Sequence, residues 1–198
     1  MKVPPFQIYV AHALTDASPR FREETNLLRA TIATQRPEWN ILQFYGLGAS
    51  PSDGLIAKTD FSQVFRADLV CAIADESSIG MGEEVGLRMA FGLPIVFFGH
   101  VSWKRTRMVT GPAELWPEHV LFHRYERIED CVPMIAQALK HFAIDPTVPK
   151  PSRLVVPDHI QALYQEANGI HPLAGINTAY MNEGEGYQHG MKPPIVAP

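Results

Sequence analysis

Two adjacent carboxylates, Glu83 and Glu84, follow a run of serines and small residues in Ser77-Ser78-Ile79-Gly80-Met81-Gly82. The run lies between two apolar stretches, Asp68 to Ala74 and Pro94 to Phe98, with a helix expected from about Gly82 to Phe91. The pattern predicts a buried strand, a tight glycine loop, a helix opening with carboxylates and a second buried strand. In a parallel sheet such a loop lies at the carboxyl end of its strand, where the first amides of the next helix can hold an anion. A phosphate can then bind beside a carboxylate, an arrangement suited to chemistry on the sugar of a nucleotide. Placed in the first helical turn, Glu84 would be kept ionised by the helix dipole and able to attack an anomeric carbon. The plainer role for Glu83 and Glu84 is to satisfy the helix N-terminus.

The elements that must position these residues alternate along the chain. Phe6 to Ala11 reads as a first, central strand, and Ser18-Pro19 as the cap and first turn of a helix carrying Phe21, Leu27, Leu28 and Ile32. Further strands are expected at Trp39 to Tyr45, Asp68 to Ala74, Pro94 to Phe98 and about Val120 to His123. Helices are expected at about Leu55 to Arg66, Gly82 to Phe91 and Ile128 to Phe142, with Lys104, Arg105 and Arg107 in a polar loop. This alternation predicts a doubly wound, five-stranded parallel α/β sheet of flavodoxin or Rossmann type, with its crevice at the strand carboxyl ends. Residues 1–145 would form the catalytic domain, and 146–198 a Pro- and Gly-rich extension with one helix at Asp158 to Asn168.

Composition narrows the partners. The chain has 198 residues and a net charge of −4, with an isoelectric point near 6.0, so it offers no basic field for a nucleic-acid backbone. The first ten residues hold no signal-peptide core, and no apolar run approaches the ~20 residues that span a bilayer. A cytoplasmic protein bound to neither membrane nor nucleic acid is expected. Cys71 and Cys131 fall in a strand and a helix pattern, which predicts buried thiols rather than a disulfide. None of the eight histidines forms a metal-ligand motif, and no cofactor is expected.

Gly80-Met81-Gly82-Glu83-Glu84-Val85-Gly86, followed by Gly92-Leu93-Pro94, resembles the nucleoside 2-deoxyribosyltransferase superfamily. The resemblance extends to Ile8-Tyr9-Val10-Ala11, to Thr59-Asp60-Phe61 and to Ala67-Asp68-Leu69-Val70, and covers roughly residues 6–142. It implies Glu84 as nucleophile, Asp60 as the carboxylate that holds sugar or base and tunes it, and Tyr9 as a contact to nucleophile or sugar. Transferases acting on free nucleosides usually carry Asp six residues before the nucleophile, where this chain has Ser78, similar to the branch hydrolysing nucleoside 5′-monophosphates. The chemistry agrees, since serine donates to a phosphate that an aspartate would repel.

In the first loop the chain departs from that branch, with His12-Ala13-Leu14-Thr15-Asp16 where relatives carry Gly-Ser-Ile-Arg-Gly. His12, Thr15, Ser18, Arg20 and Arg22 are the candidates to take over substrate contacts, beside Ser78, Gly80 and Gly82. Thr106 falls where the family offers a hydroxyl to the phosphate of a neighbouring subunit, which implies a homodimer or higher homo-oligomer. The expected reaction is hydrolysis of the N-glycosidic bond of a nucleoside 5′-monophosphate. A deoxyribosyltransferase, a TIR-like NAD hydrolase and a nucleotide-sensing module are the alternatives. Asp68 is expected to tie the strand start to a neighbouring loop.

Overall fold

The computed structural model describes residues 6–13, 17–42, 60–61, 63–104 and 106–148. All of them belong to the first of the chain's two units, Met1–Val155. Short apolar runs form five strands: β1 (Gln7–Ala11), β2 (Asn40–Ile41), β3 (Leu69–Ile73), β4 (Ile95–His100) and β5 (Val120–Tyr125). Every pairing is parallel and the order is β2-β1-β3-β4-β5. Between them run helices α1 (Pro19–Gln35), α2 (residues 63–66, with 60–61 also helical), α3 (Ile79–Ala90), α4 (Arg107–Leu115) and α5 (Cys131–His141). This is the doubly wound α/β sheet that the alternation predicts.

Alternation along each strand divides the apolar side chains between two cores. Ile8, Val10, Cys71, Ile73 and Phe98 pack with Phe21, Leu28 and Ile32 of α1 and Ile135 of α5. Tyr9, Ala11, Val70, Ala72 and Phe97 pack on the opposite face with Val64 of α2 and Met81 and Val85 of α3. The chain therefore leaves β1 toward one face and β3 toward the other. The crevice between the carboxyl ends of β1 and β3 is the switch point at which ligands of such sheets bind.

The loop after β3 is held on both sides. Glu76 accepts from the Ser18 amide at 2.8 Å and the Ser18 hydroxyl at 2.5 Å, tying the loop to the start of α1. Asp75 accepts from the His100 amide at 2.7 Å and from the Tyr125 hydroxyl, tying it to β4 and β5. Asp68 accepts from the Gln7 amide at 2.7 Å, so it ties the start of β3 to the start of the adjacent strand β1 rather than to the loop expected. Cys71 and Cys131 are free and buried.

Three further sequence expectations are corrected. The helix expected from Gly82 starts at Ile79, because Ser78 takes the cap and its Oγ accepts from the Met81 amide at 3.1 Å. Gly80 and Gly82 are therefore helical rather than part of a loop. The polar segment after β4 holds a helix, α4, which was hidden by Gly111 and Pro112 within it. The expected helix from Ile128 is a 3-10 turn, Ile128–Asp130, followed by α5. The expected residues 43–45 of the second strand, 55–59 of the second helix and the C-terminal extension from 149 onward lie outside the described residues. Among the described residues no helix is long and apolar enough to cross a membrane.

Candidate active site

Tyr9 lies midway along β1, on the face that α3 covers, and is fully buried. Glu84, in the second turn of α3, is only 6% exposed. The two meet across the crevice, with the Tyr9 hydroxyl donating to Glu84 Oε1 at 2.7 Å. No other hydrogen bond to the Glu84 carboxylate comes from the described residues. The contact orients one carboxylate oxygen and leaves the other without a donor among the described residues.

Burial pushes the Glu84 carboxyl up to about 7; the Tyr9 hydrogen bond opposes this shift, and the charges of Asp60 and Glu83 add to it. A first-turn Glu84 kept ionised by the helix dipole is thus not what the structure contains. Because the helix opens at Ile79, Glu84 sits one turn deeper, beyond the dipole's short reach and over the sheet. Tyr9, desolvated and beside Glu84, is pushed upward out of its ordinary titration range.

Asp60 joins this pair. It is 8% exposed, burial raises its pKa, and its charge is felt by both Tyr9 and Glu84. Its buried Oδ1 has no hydrogen-bond partner among the described residues. A carboxyl group with an unused oxygen beside a second buried carboxylate is suited to hold a ligand hydroxyl or to carry a proton.

Above Glu84, the start of α3 is bare. A Cβ built at Gly80 or at Gly82 meets nothing within 4 Å, so neither glycine is required by packing inside the described fold. With Ser78 accepting from the Met81 amide, its hydroxyl hydrogen is left to be donated outward. The first-turn amides, Ser78 and the two exposed glycines leave a helix start that an anion can approach, between one and two turns from Glu84.

The remaining candidates divide. His12, at the end of β1, is buried, with Nδ1 2.9 Å from the Ala13 carbonyl oxygen, and burial lowers its pKa. Arg20 is not drawn to Glu84: it is exposed, pairs with Glu24 at 2.8 Å and lines a cleft of about 260 Å³ with Glu76, His100 and Trp103. Thr106 caps α4 without a side-chain capping bond. Thr15 lies outside the described residues. Among the described residues no three His, Cys, Asp or Glu side chains gather as a metal site.

Two arginines near the site have no place in the sequence reading. Arg88, one turn beyond Glu84, is fully buried and donates to the carbonyls of Val64 and Ala67 at 3.0 Å and of Pro94 at 2.9 Å. Arg29 of α1 donates from Nη2 to the Leu42 carbonyl at 3.1 Å, beside Tyr9 and His12. The signal for Arg88 is an arginine at i+4 from Glu84, on the helix face that also carries Met81 and Val85; for Arg29 there is none.

Fold and site together define a doubly wound α/β protein with a buried, tyrosine-anchored glutamate at its switch point. No protein-family model matches the sequence, and no curated protein matches it. Among solved structures, a CMP N-glycosidase from Clostridium botulinum, BcmB, is similar at 15% identity and a TM-score of 0.49, over 66% of this chain and 98% of that one. A conserved protein from Enterococcus faecalis V583 is similar at 19% identity and a TM-score of 0.51, over 67% of this chain and 98% of that one. The likeness at these identities is one of fold.

Proposed function

We propose that the protein is an N-glycosidase of the nucleoside 2-deoxyribosyltransferase superfamily that hydrolyses nucleoside 5′-monophosphates to free base and sugar 5-phosphate. The observation that carries this reading is the buried 2.7 Å contact between Tyr9 and Glu84, below the Ser78-capped start of α3. The phosphate takes the amides and Ser78 hydroxyl, which places C1′ near the free oxygen of Glu84. Attack by that oxygen forms a glycosyl ester as the C1′–N bond breaks, its electron pair leaving with the base, which takes up a proton. Asp60, a buried acid with an unused oxygen, holds a sugar hydroxyl or supplies that proton. Water then attacks C1′, the ester electrons return to Glu84, and the water proton passes to solvent.

Incubation with ribo- and deoxyribonucleoside monophosphates and NAD, with free base followed by chromatography, tests the reading. Release of base from monophosphates supports it. Release of nicotinamide alone, or tight nucleotide binding without turnover, overturns it. Ser78→Asp sets a carboxylate against the phosphate, so monophosphate binding is expected to weaken by a few kcal/mol, far more than binding of the matching nucleoside. Equal losses in calorimetric titrations of both ligands would remove phosphate recognition from this helix start.

The site is also proposed to be completed in a homo-oligomer. Helix α4 buries none of its residues, and Met108 and Leu115 are 79% and 69% exposed. A second copy covering this face would bring Thr106, whose hydroxyl serves no cap, to a neighbouring phosphate. Mixing Glu84→Ala and Thr106→Asp proteins should then regenerate some intact sites and recover activity. Failure to recover, with subunit exchange demonstrated, or a monomer by light scattering, refutes sharing.

A further inference from the structure

Among the described residues, strand β2 accompanies the lower part of β1. Its pairs are Gln7 with Asn40 and Ile8 with Ile41, whereas β3 accompanies β1 from Ile8 to Ala11 on the other side. Leu42 follows the last residue of β2, and its amide donates to the Ile8 carbonyl at 2.8 Å, which sets it beside Tyr9. Here the Arg29 guanidinium caps the Leu42 carbonyl at 3.1 Å. The backbone of Arg29 lies next to Leu28, which packs α1 against the other face, so its side chain carries a charge round the β2 edge to the level of the site.

Among the described residues that charge is incompletely matched. Arg29 is half-buried, and burial lowers its pKa, which only the nearby Tyr9 offsets. None of the ion pairs among the described residues includes it. Of the donors that a guanidinium carries, a single one is engaged by the described residues. Holding an arginine partly out of water with so few partners is costly, and a ligand rich in acceptors would offset that cost.

Strand order indicates which part of a ligand meets it. Ser78 follows β3, Arg29 reaches the end of β2, and between them β1 presents Tyr9, which holds Glu84 of α3. A sugar with C1′ at Glu84 and its phosphate at the start of α3 extends its base toward the β2 side. We infer that Arg29 reads the leaving base and selects bases whose edge offers carbonyl and ring-nitrogen acceptors together, such as cytosine or guanine. The inference rests on the glycosidase reading above. Arginine has only donors; adenine would set its amino group against them, whereas guanine O6 with N7, or cytosine O2 with N3, accepts both. The same donors would stabilise negative charge on the base as the C1′–N bond breaks.

The test compares wild type, Arg29→Met and Arg29→Lys on cytidine, uridine, guanosine and adenosine monophosphates, with kcat/KM measured for each. Wild type is expected to favour the cytosine or guanine nucleotide over the adenine nucleotide by about tenfold or more. Arg29→Met should remove most of that preference by lowering kcat/KM for the favoured substrate about ten- to hundredfold, with Arg29→Lys intermediate. Titration with ribose 5-phosphate, which lacks a base, should give the same affinity in wild type and Arg29→Met. A wild type that prefers adenine, an unchanged base ratio in folded Arg29→Met, or a loss confined to ribose 5-phosphate binding overturns the inference while leaving the glycosidase reading standing. If Arg29→Met does not fold, the wild-type base ratio and the Arg29→Lys ratio decide it. No base release by wild type from any nucleotide overturns the glycosidase reading itself.

Discussion

Glu84→Gln is expected to lower the rate of base release by 10³-fold or more, about 4 kcal/mol of barrier, while raising stability above neutral pH. The amide keeps the shape of the carboxylate and can still accept from Tyr9, but it cannot form the glycosyl ester. The stability gain follows from the position of the carboxyl pKa. Burial raises it from the ordinary 4.5 to about 7, so the folded protein favours the protonated form. The stability this group contributes is complete below about 4.5 and is lost as pH rises through about 7, a loss of roughly 3 kcal/mol in all. Activity runs the other way, because attack needs the ionised form, so the rate should climb through a midpoint near 7. Asp60, also raised by burial, changes stability in the same direction as Glu84. Thermal melts at pH 5 and pH 8 with the pH–rate profile check both halves. If Glu84→Gln keeps wild-type turnover while Glu83→Ala does not, the nucleophile is Glu83. If both variants remain active, the mechanism is wrong.

The opposition between activity and stability explains what sequence could and could not locate. Ser18-Pro19 begins α1 as expected, since a serine cap before proline is a local signal that needs no tertiary context. The apolar runs of β1, β3 and β4 were equally legible, because strands buried on both faces are apolar throughout. The start of α3 was misplaced by three residues. Two glycines argue for a loop, while the competing signal, Ser78 three residues before an amide it can cap, suits a loop cap or a ligand contact equally well from sequence. That shift alone turned Glu84 from an ionised, dipole-held carboxylate into a buried one with a raised pKa. The types of Tyr9, Asp60 and Glu84 were readable, but their burial and mutual repulsion come from the placement of α3 over β1. No periodicity within one segment encodes that placement. Helix α4 escapes the sequence pattern for the same reason: Gly111 and Pro112 oppose helix locally, and the fold overrides them.

Arg88→Met is expected to destabilise the protein by about 3–5 kcal/mol, lowering the melting temperature by roughly 10 °C or more. Nη1 of Arg88 serves the carbonyls of Val64 and Ala67, and Nη2 those of Asp68 and Pro94, at 3.0, 3.0, 3.3 and 2.9 Å. These carbonyls end α2, open β3 and precede β4, so one side chain closes three chain segments. Full burial lowers the guanidinium pKa to about 9, with nearby Asp68 opposing the shift. Methionine fills much of the same volume, so the expected loss arises from unsatisfied carbonyls rather than a cavity. Arg88→Lys, which cannot reach four carbonyls at once, should fall between wild type and Arg88→Met. Activity should fall as well, because Arg88 lies one turn beyond Glu84 and holds the segment that follows Asp60. Loosening that clamp lets water reach the two carboxyl groups, and the midpoint of the pH–rate profile should move below its wild-type value near 7, toward the ordinary carboxylate range. A folded Arg88→Met protein within 1 kcal/mol of wild type, or with an unmoved midpoint, would show that Arg88 neither closes the fold nor sets the geometry of Glu84 and Asp60.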